Sequence, residues 1–183
     1  MKTMLNKSAA LAAIILLGQI GAGNAASAES AAGEAAPNAS AWKVTSSTSA
    51  LDGKARYSAQ LDSSNKIANS VGRDDVATLV VRCTPEEGLA SYIVWPGFVG
   101  TQDVDVTYRI DEAPVLVQSW SASGSGRASG LFHGPANLVF LTKLSAAHRL
   151  VVRTPRYDAT PIEAVFDLAG AAEVISGAGK ACP

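Results

Sequence analysis

Short runs in which apolar and polar residues alternate dominate the chain from residue 42 onward: "WKVTSST", "ARYSAQL", "VATLVVRC", "SYIVW", "VDVTYRI" and "VLVQSWSAS". A period of two puts alternate side chains on opposite faces, so each run predicts a strand with one buried face. Turn signals fall between them at Asp52-Gly53, Gly72, Pro85 to Gly88, Pro96-Gly97 and Glu112 to Pro114. The period changes in "GPANLVFLTKLSAAHRLVVRTP", where Leu138, Val139, Leu141, Leu144 and Ala147 fit one helical face and Pro135 suits a first turn. "HRLVVRT" and "TPIEAVFDL" return to strand, and "AGAAEVISGAGKAC" reads as a final short helix ending near Gly177 or Gly179. About eight strands at such spacing predict a mainly β fold: an antiparallel β-sandwich-like domain with one or two short helices.

The first 28 residues break this pattern. Lys2 and Lys7 precede an apolar run of about fourteen residues that ends in small residues, Ala26, Ser27 and Ala28, the layout of a secretory signal peptide. The run is shorter than the roughly 20 residues a bilayer-spanning helix needs, so no stable membrane span is expected after cleavage. Residues 29–40, "ESAAGEAAPNAS", are small and polar and read as a flexible linker. A single β-rich domain is expected over 41–183, in the periplasm or secreted.

Charge then removes two classes of partner. The chain has 183 residues with 15 Lys and Arg against 16 Asp and Glu, and loss of residues 1–28 removes two lysines and no acid, leaving a net charge of −3. Without concentrated positive charge, neither nucleic acid nor an anionic membrane surface is an expected partner. The two cysteines, Cys83 and Cys182, are an even count in an exported chain and predict one disulfide. Cys83 is in phase with Leu79 and Val81, on the expected core face, so the bridge would pin the C-terminal helix over the sheet.

Candidate chemistry is sparse. His133 and His148 stand in no metal-ligand spacing and beside no nucleophile motif, and no phosphate-binding glycine loop is present, so neither a metal nor a cofactor is expected. The paired acids Asp74-Asp75, Glu86-Glu87 and Asp111-Glu112 all fall in turns. Two surfaces are candidates for recognition. In "VDVTYRID" the residues Asp105, Thr107, Arg109 and Asp111 form a polar row opposite Val104, Val106 and Tyr108, and Arg109 offers a planar fork for a carboxylate. The same row is also what a solvated strand face with an ion pair looks like. The turn "WPGF" could present Trp95 and Phe98 as an anchor, or pack them as a corner of the core.

Taken together, Trp42, "SSTSALDG", "LVVRC", "YRID", "VFDLAG" and the closing Cys182 resemble the VasI/EvfG family of type VI secretion-associated periplasmic proteins over residues 42–182. The resemblance makes Cys83, Arg109, Asp111, Phe166, Asp167 and Cys182 motif positions and implies an accessory envelope protein with no catalytic residues to carry over. The expectation is therefore a non-enzyme that binds a protein partner in the cell envelope. An immunity or inhibitor protein that blocks a toxin or enzyme, and a small hydrolase built around His133 or His148, are the alternatives.

Overall fold

The structure, a computed structural model, describes residues 41–157 and 160–182. The expected signal peptide and linker lie outside the described residues. Eleven strands and two helices follow one another in it: β1 (Lys43–Thr48), β2 (Ala55–Asp62), β3 (Ile67–Ala68), β4 (Asp74–Asp75), β5 (Thr78–Thr84), β6 (Gly88–Val94), β7 (Val104–Ile110), β8 (Leu116–Ala122), β9 (Ala128–Leu131), α1 (Pro135–Ser145), β10 (Arg149–Pro155), β11 (Pro161–Asp167) and α2 (Ala171–Ala181). Nine of the strands form one antiparallel sheet in the order β1-β2-β5-β6-β9-β8-β7-β10-β11, and β3 pairs with β4 in a small separate ladder.

Strand β8 joins the two halves of the large sheet. Its residues Leu116 to Trp120 pair with β7, while Ser121 and Ala122 alone pair with β9. The far strand β11 is bonded in turn by the connection after β2. There Ser64 donates its amide to Val165 O at 2.7 Å, Asn65 Nδ2 donates to Glu163 O at 2.9 Å, and Asn65 Oδ1 accepts from Val165 N at 2.8 Å. The sheet thus curls until its last strand meets the chain leaving its second, which gives the sandwich-like enclosure. The exposed side of β11 is satisfied by a side-chain amide instead of a tenth strand.

One hydrophobic core fills the enclosure. Leu61, Leu79, Val81, Ile93, Val106, Leu150, Val152 and Phe166 are buried from both halves, each on the inner phase of its strand. Burying side chains of this size contributes about 1.5–3 kcal/mol each. Tyr108, Trp120 and Phe140 meet with centroids 5.4 to 6.0 Å apart, tilted or edge-on, and this contact seats α1 against β7 and β8.

The helix begins at Pro135 as expected, but its buried face differs. Asn137, Phe140, Leu141 and Leu144 point inward, while Leu138 and Val139 are more than half exposed. The reason is polar: Asn137 accepts from Ser91 Oγ at 2.6 Å and donates to Leu89 O at 2.8 Å, which turns that face of the first turn onto β6.

Helix α2 also departs from expectation, running through Gly177 and Gly179 to Ala181. Gly177 lies within the helix with Tyr57 packed on it: a Cβ there would lie 2.9 Å from Tyr57 Oη, so the close approach favours glycine. Beyond it the chain closes the disulfide from Cys182 to Cys83, with Cα atoms 5.8 Å apart, and α2 lies against β2 and β5 as the sequence implies.

One strand escaped the sequence pattern. Strand β9 has the sequence ASGL and lies at the middle of the sheet with all four residues buried. Gly130 is required there because the backbone at Ser91 and Tyr92 of β6 occupies the place a Cβ would take.

Candidate functional site

The polar row of β7 lies on the outer face of the sheet, and strand register decides what surrounds it. Val104, Val106 and Tyr108 face the core, and Asp105, Thr107 and Arg109 face out. Register sets Val151 beside Arg109 and Arg153 beside Thr107, with Glu163 beside Arg153 and Asp167 beside Arg149 one strand further on. A groove of about 280 Å³ follows, lined by Thr107, Arg109, Arg149, Val151, Arg153 and Glu163, with Val115 and the edge of Tyr108.

Charge in this groove is uneven. Arg153 donates to Glu163 through Nε and Nη2 at 3.2 and 2.8 Å. Among the described residues no carboxylate lies within ion-pair distance of Arg109 or Arg149. Beside them Val115 and Val117 are 60% and 66% exposed. Two free guanidiniums next to exposed valines suit a partner that carries carboxylates and apolar side chains together.

The other candidate residues divide. Asp105 lies at the far end of β7, opposite Ser119, away from the groove. Asp111 does not belong to the row. It sits past the strand end with φ 48°, and its Oδ1 accepts from His148 N at 3.0 Å and Arg149 N at 2.8 Å. Its carboxylate therefore ties the β7 turn to the start of β10, and the expected neighbour pair of Arg109 with Asp111 does not form. Trp95 is a core residue, 2% exposed, with its Nε1 donating to Ser129 Oγ at 3.0 Å. It is not a presented anchor. Phe98 is at the surface, 38% exposed, edge-on to Tyr157 at 5.7 Å and resting on Gly126.

The outer face of the other half is built from similar residue types with a different outcome. Arg82 is ion-paired with Glu87 and its guanidinium lies 5.3 Å from the centroid of the Tyr92 ring, which packs on Phe132 at 5.5 Å. Arg56 reaches Glu86 at 3.0 Å and Asp52 at 3.7 Å, and Lys43 reaches Asp62 at 2.8 Å. The lysine contact, more than any other, holds the Asp62 carboxyl below its ordinary value, with a further hydrogen bond from Thr78.

His133 opens onto this face, in a cleft of about 530 Å³ that it shares with Ser123, Glu86 and Glu87. Among the described residues no side-chain hydrogen bond joins it to a nucleophile or an orienting acid. Ser123 Oγ is instead shared between Ser125 Oγ at 2.9 Å and Ala128 N at 3.2 Å, so it braces the turn into β9. No cluster of three or more His, Cys, Asp or Glu that could hold a metal occurs among the described residues. No helix among them is long and apolar enough to cross a membrane.

The sequence alone missed Arg149, Arg153, Val115 and Val117 as members of the site. The alternation in "HRLVVRT" places both arginines on one side of a strand, but only register brings that side against Arg109. No protein-family model matches the chain, and no curated protein matches it. Among solved structures it is similar to the crystal structure of invasion associated protein B from Bartonella henselae, at 12% identity and a TM-score of 0.49, over 76% of this chain and 92% of that one.

Proposed function

We propose that this chain is an exported cell-envelope accessory protein, of the kind its resemblance to type VI secretion-associated proteins implies, and that it works by binding another protein. The observation that carries the reading is the groove on β7 and β10. Arg109 and Arg149 have no carboxylate partner among the described residues, while the three cations carried on strands β1, β2 and β5, Lys43, Arg56 and Arg82, each have one. An outer face used only for solubility gains from pairing its charges. One that leaves two neighbouring guanidiniums free beside exposed valines is complementary to an acidic, partly apolar protein surface. Ser123, which shares a cleft with His133, has its hydroxyl engaged by Ser125 Oγ and Ala128 N, which supports a bracing role for it.

The test is a photocrosslinker placed at Val117 in the exported protein, followed by titration of the captured partner against Arg109→Ala and Arg149→Ala. Each substitution is expected to weaken binding by about tenfold or more. Unchanged affinity in both variants overturns the assignment of this surface. Turnover of any substrate that is lost in His133→Ala overturns the binding function.

A further inference from the structure

Strand β8 has an open edge inside the sheet. Over Leu116 to Trp120 it is bonded on one side to β7, but its other side meets β9 only at Ser121 and Ala122. Strand β9 stops at Leu131 and the chain turns into α1, so among the described residues no strand lies beside Leu116 to Ser119. This edge has little of the usual protection. From Val115 to Ala122 there is no charged residue, only Pro114 stands before it, and Val115, Leu116 and Val117 are 60%, 42% and 66% exposed. Unpaired strand edges are normally blunted by lysine, bulges or a covering segment, because they invite another strand. The same sheet covers its β11 edge with Ser64 and Asn65.

We infer that the Val115–Ser119 edge receives an extended strand of a partner protein in which apolar and acidic side chains alternate. This rests on the protein-binding reading above and specifies its mode. The two sides of the edge set the alternation. Leu116 faces inward beside a cleft of about 360 Å³ lined by Tyr108, Ile110, Pro114 and Ala147 together with the charged Asp111, Glu112 and Lys143. Val115 and Val117 face outward on the side of Arg109 and Thr107. A strand added at the edge therefore directs every second side chain inward beside Leu116 and the others outward beside Val115 and Val117, with Arg109 on the next strand beyond. The added strand lies two strand spacings, roughly 10 Å, from β7, a distance that an arginine and a glutamate side chain span between them. Main-chain hydrogen bonds supply affinity and the alternate side chains supply choice. A second copy of the same strand fits less well, because β8 contains no acid to meet Arg109.

The test uses the purified protein and three synthetic decapeptides: one alternating Val and Glu, one alternating Val and Lys, and the Val–Glu sequence with proline at three positions. Binding is followed by amide chemical shifts and hydrogen exchange. The Val–Glu peptide is expected to bind saturably and slow exchange at Leu116 to Ser119, the Val–Lys peptide to bind at least tenfold more weakly, and the proline peptide not to bind. Val117→Asp should abolish binding, and Arg109→Glu should reverse the preference between the two charged peptides; both positions are on the outer surface, so folding should persist. Absence of Val–Glu binding, equal affinity for the Glu and Lys peptides, or binding without protection at Leu116 to Ser119 overturns strand addition. So does concentration-dependent dimerisation that protects the same amides, which assigns the edge to a second copy. If the peptide fails while Arg109→Ala still weakens the crosslinked partner, the protein-binding reading stands and only the strand mode falls.

Discussion

Arg82 and Arg109 occupy equivalent settings in the two halves of the sheet. Both lie on the outward phase of a strand whose inward phase is buried, and both are flanked by β-branched or aromatic neighbours. Yet Arg82 is held by Glu87 and by the face of Tyr92, while Arg109 ends in a groove with Arg149 and no free acid. The half that holds Arg82 is also the half tied down by the disulfide, by the Asn137–Ser91 contact and by the Trp95–Ser129 hydrogen bond. What separates Arg82 from Arg109 is thus the supply of in-molecule partners among the described residues. In the first half the turns after β1 and β5 bring Asp52, Glu86 and Glu87 to the outer face, whereas the turn after β7 spends Asp111 on the backbone of β10.

The largest expected effect belongs to the covalent tie. Replacing both cysteines, Cys83→Ala with Cys182→Ala, should lower stability by about 2–5 kcal/mol, since the bridge closes a loop spanning 99 residues. Urea unfolding measures the loss. Hydrogen exchange locates it: amides of α2 should open first, while those of β10 keep their protection. Equal loosening of both halves would remove the mechanical distinction between them.

A pair of arginine truncations sharpens the comparison at intermediate size. Arg82→Ala removes an ion pair and a cation–ring contact and should cost about 1 kcal/mol. Arg109→Ala should leave stability within about 0.5 kcal/mol, because no carboxylate among the described residues pairs with that guanidinium. Matched urea midpoints for the two variants would contradict the contrast.

Much of this architecture is legible in the sequence. The alternation of β5, β7, β10 and β11, the core phase of Cys83, the start of α1 at Pro135 and the disulfide all follow from period, turn residues and the even cysteine count. Strand β9 does not, because ASGL is selected by the close approach of β6 and not by strand propensity. The tilt of α1 that exposes Leu138 and Val139 depends on Asn137 meeting Ser91, a contact 46 residues apart in sequence. Trp95 and Phe98 flank the same turn, and only packing decides that one ring is core and the other surface. The site is the least legible part. Arg109 is visible, but Arg149 and Arg153 join it through the pairing of β7 with β10, which no local pattern encodes.

The smallest expected effect probes the paired charges of the first half through pH. Asp62 bonds Lys43 across the outermost strand pair and accepts from Thr78 Oγ1 at 2.9 Å, and these contacts depress its carboxyl below the ordinary value of 3.8. A group whose folded value is depressed adds stability that is present above its unfolded value and is lost as pH falls through the folded one. Asp62→Asn should therefore be less stable than the unaltered protein at pH 7, with the gap closing as pH drops below about 4. The gap is expected to be only a few tenths of a kcal/mol, because the Asp62 side chain is 40% exposed and solvent screens the pair. It should shrink again when salt is raised at pH 7. Urea titrations at pH 7 and pH 3, each at low and high salt, give the four values needed. A gap that ignores both pH and salt would mean that Asp62 serves β1 and β2 by shape and hydrogen bonding, and that the first half does not depend on neutralised charge.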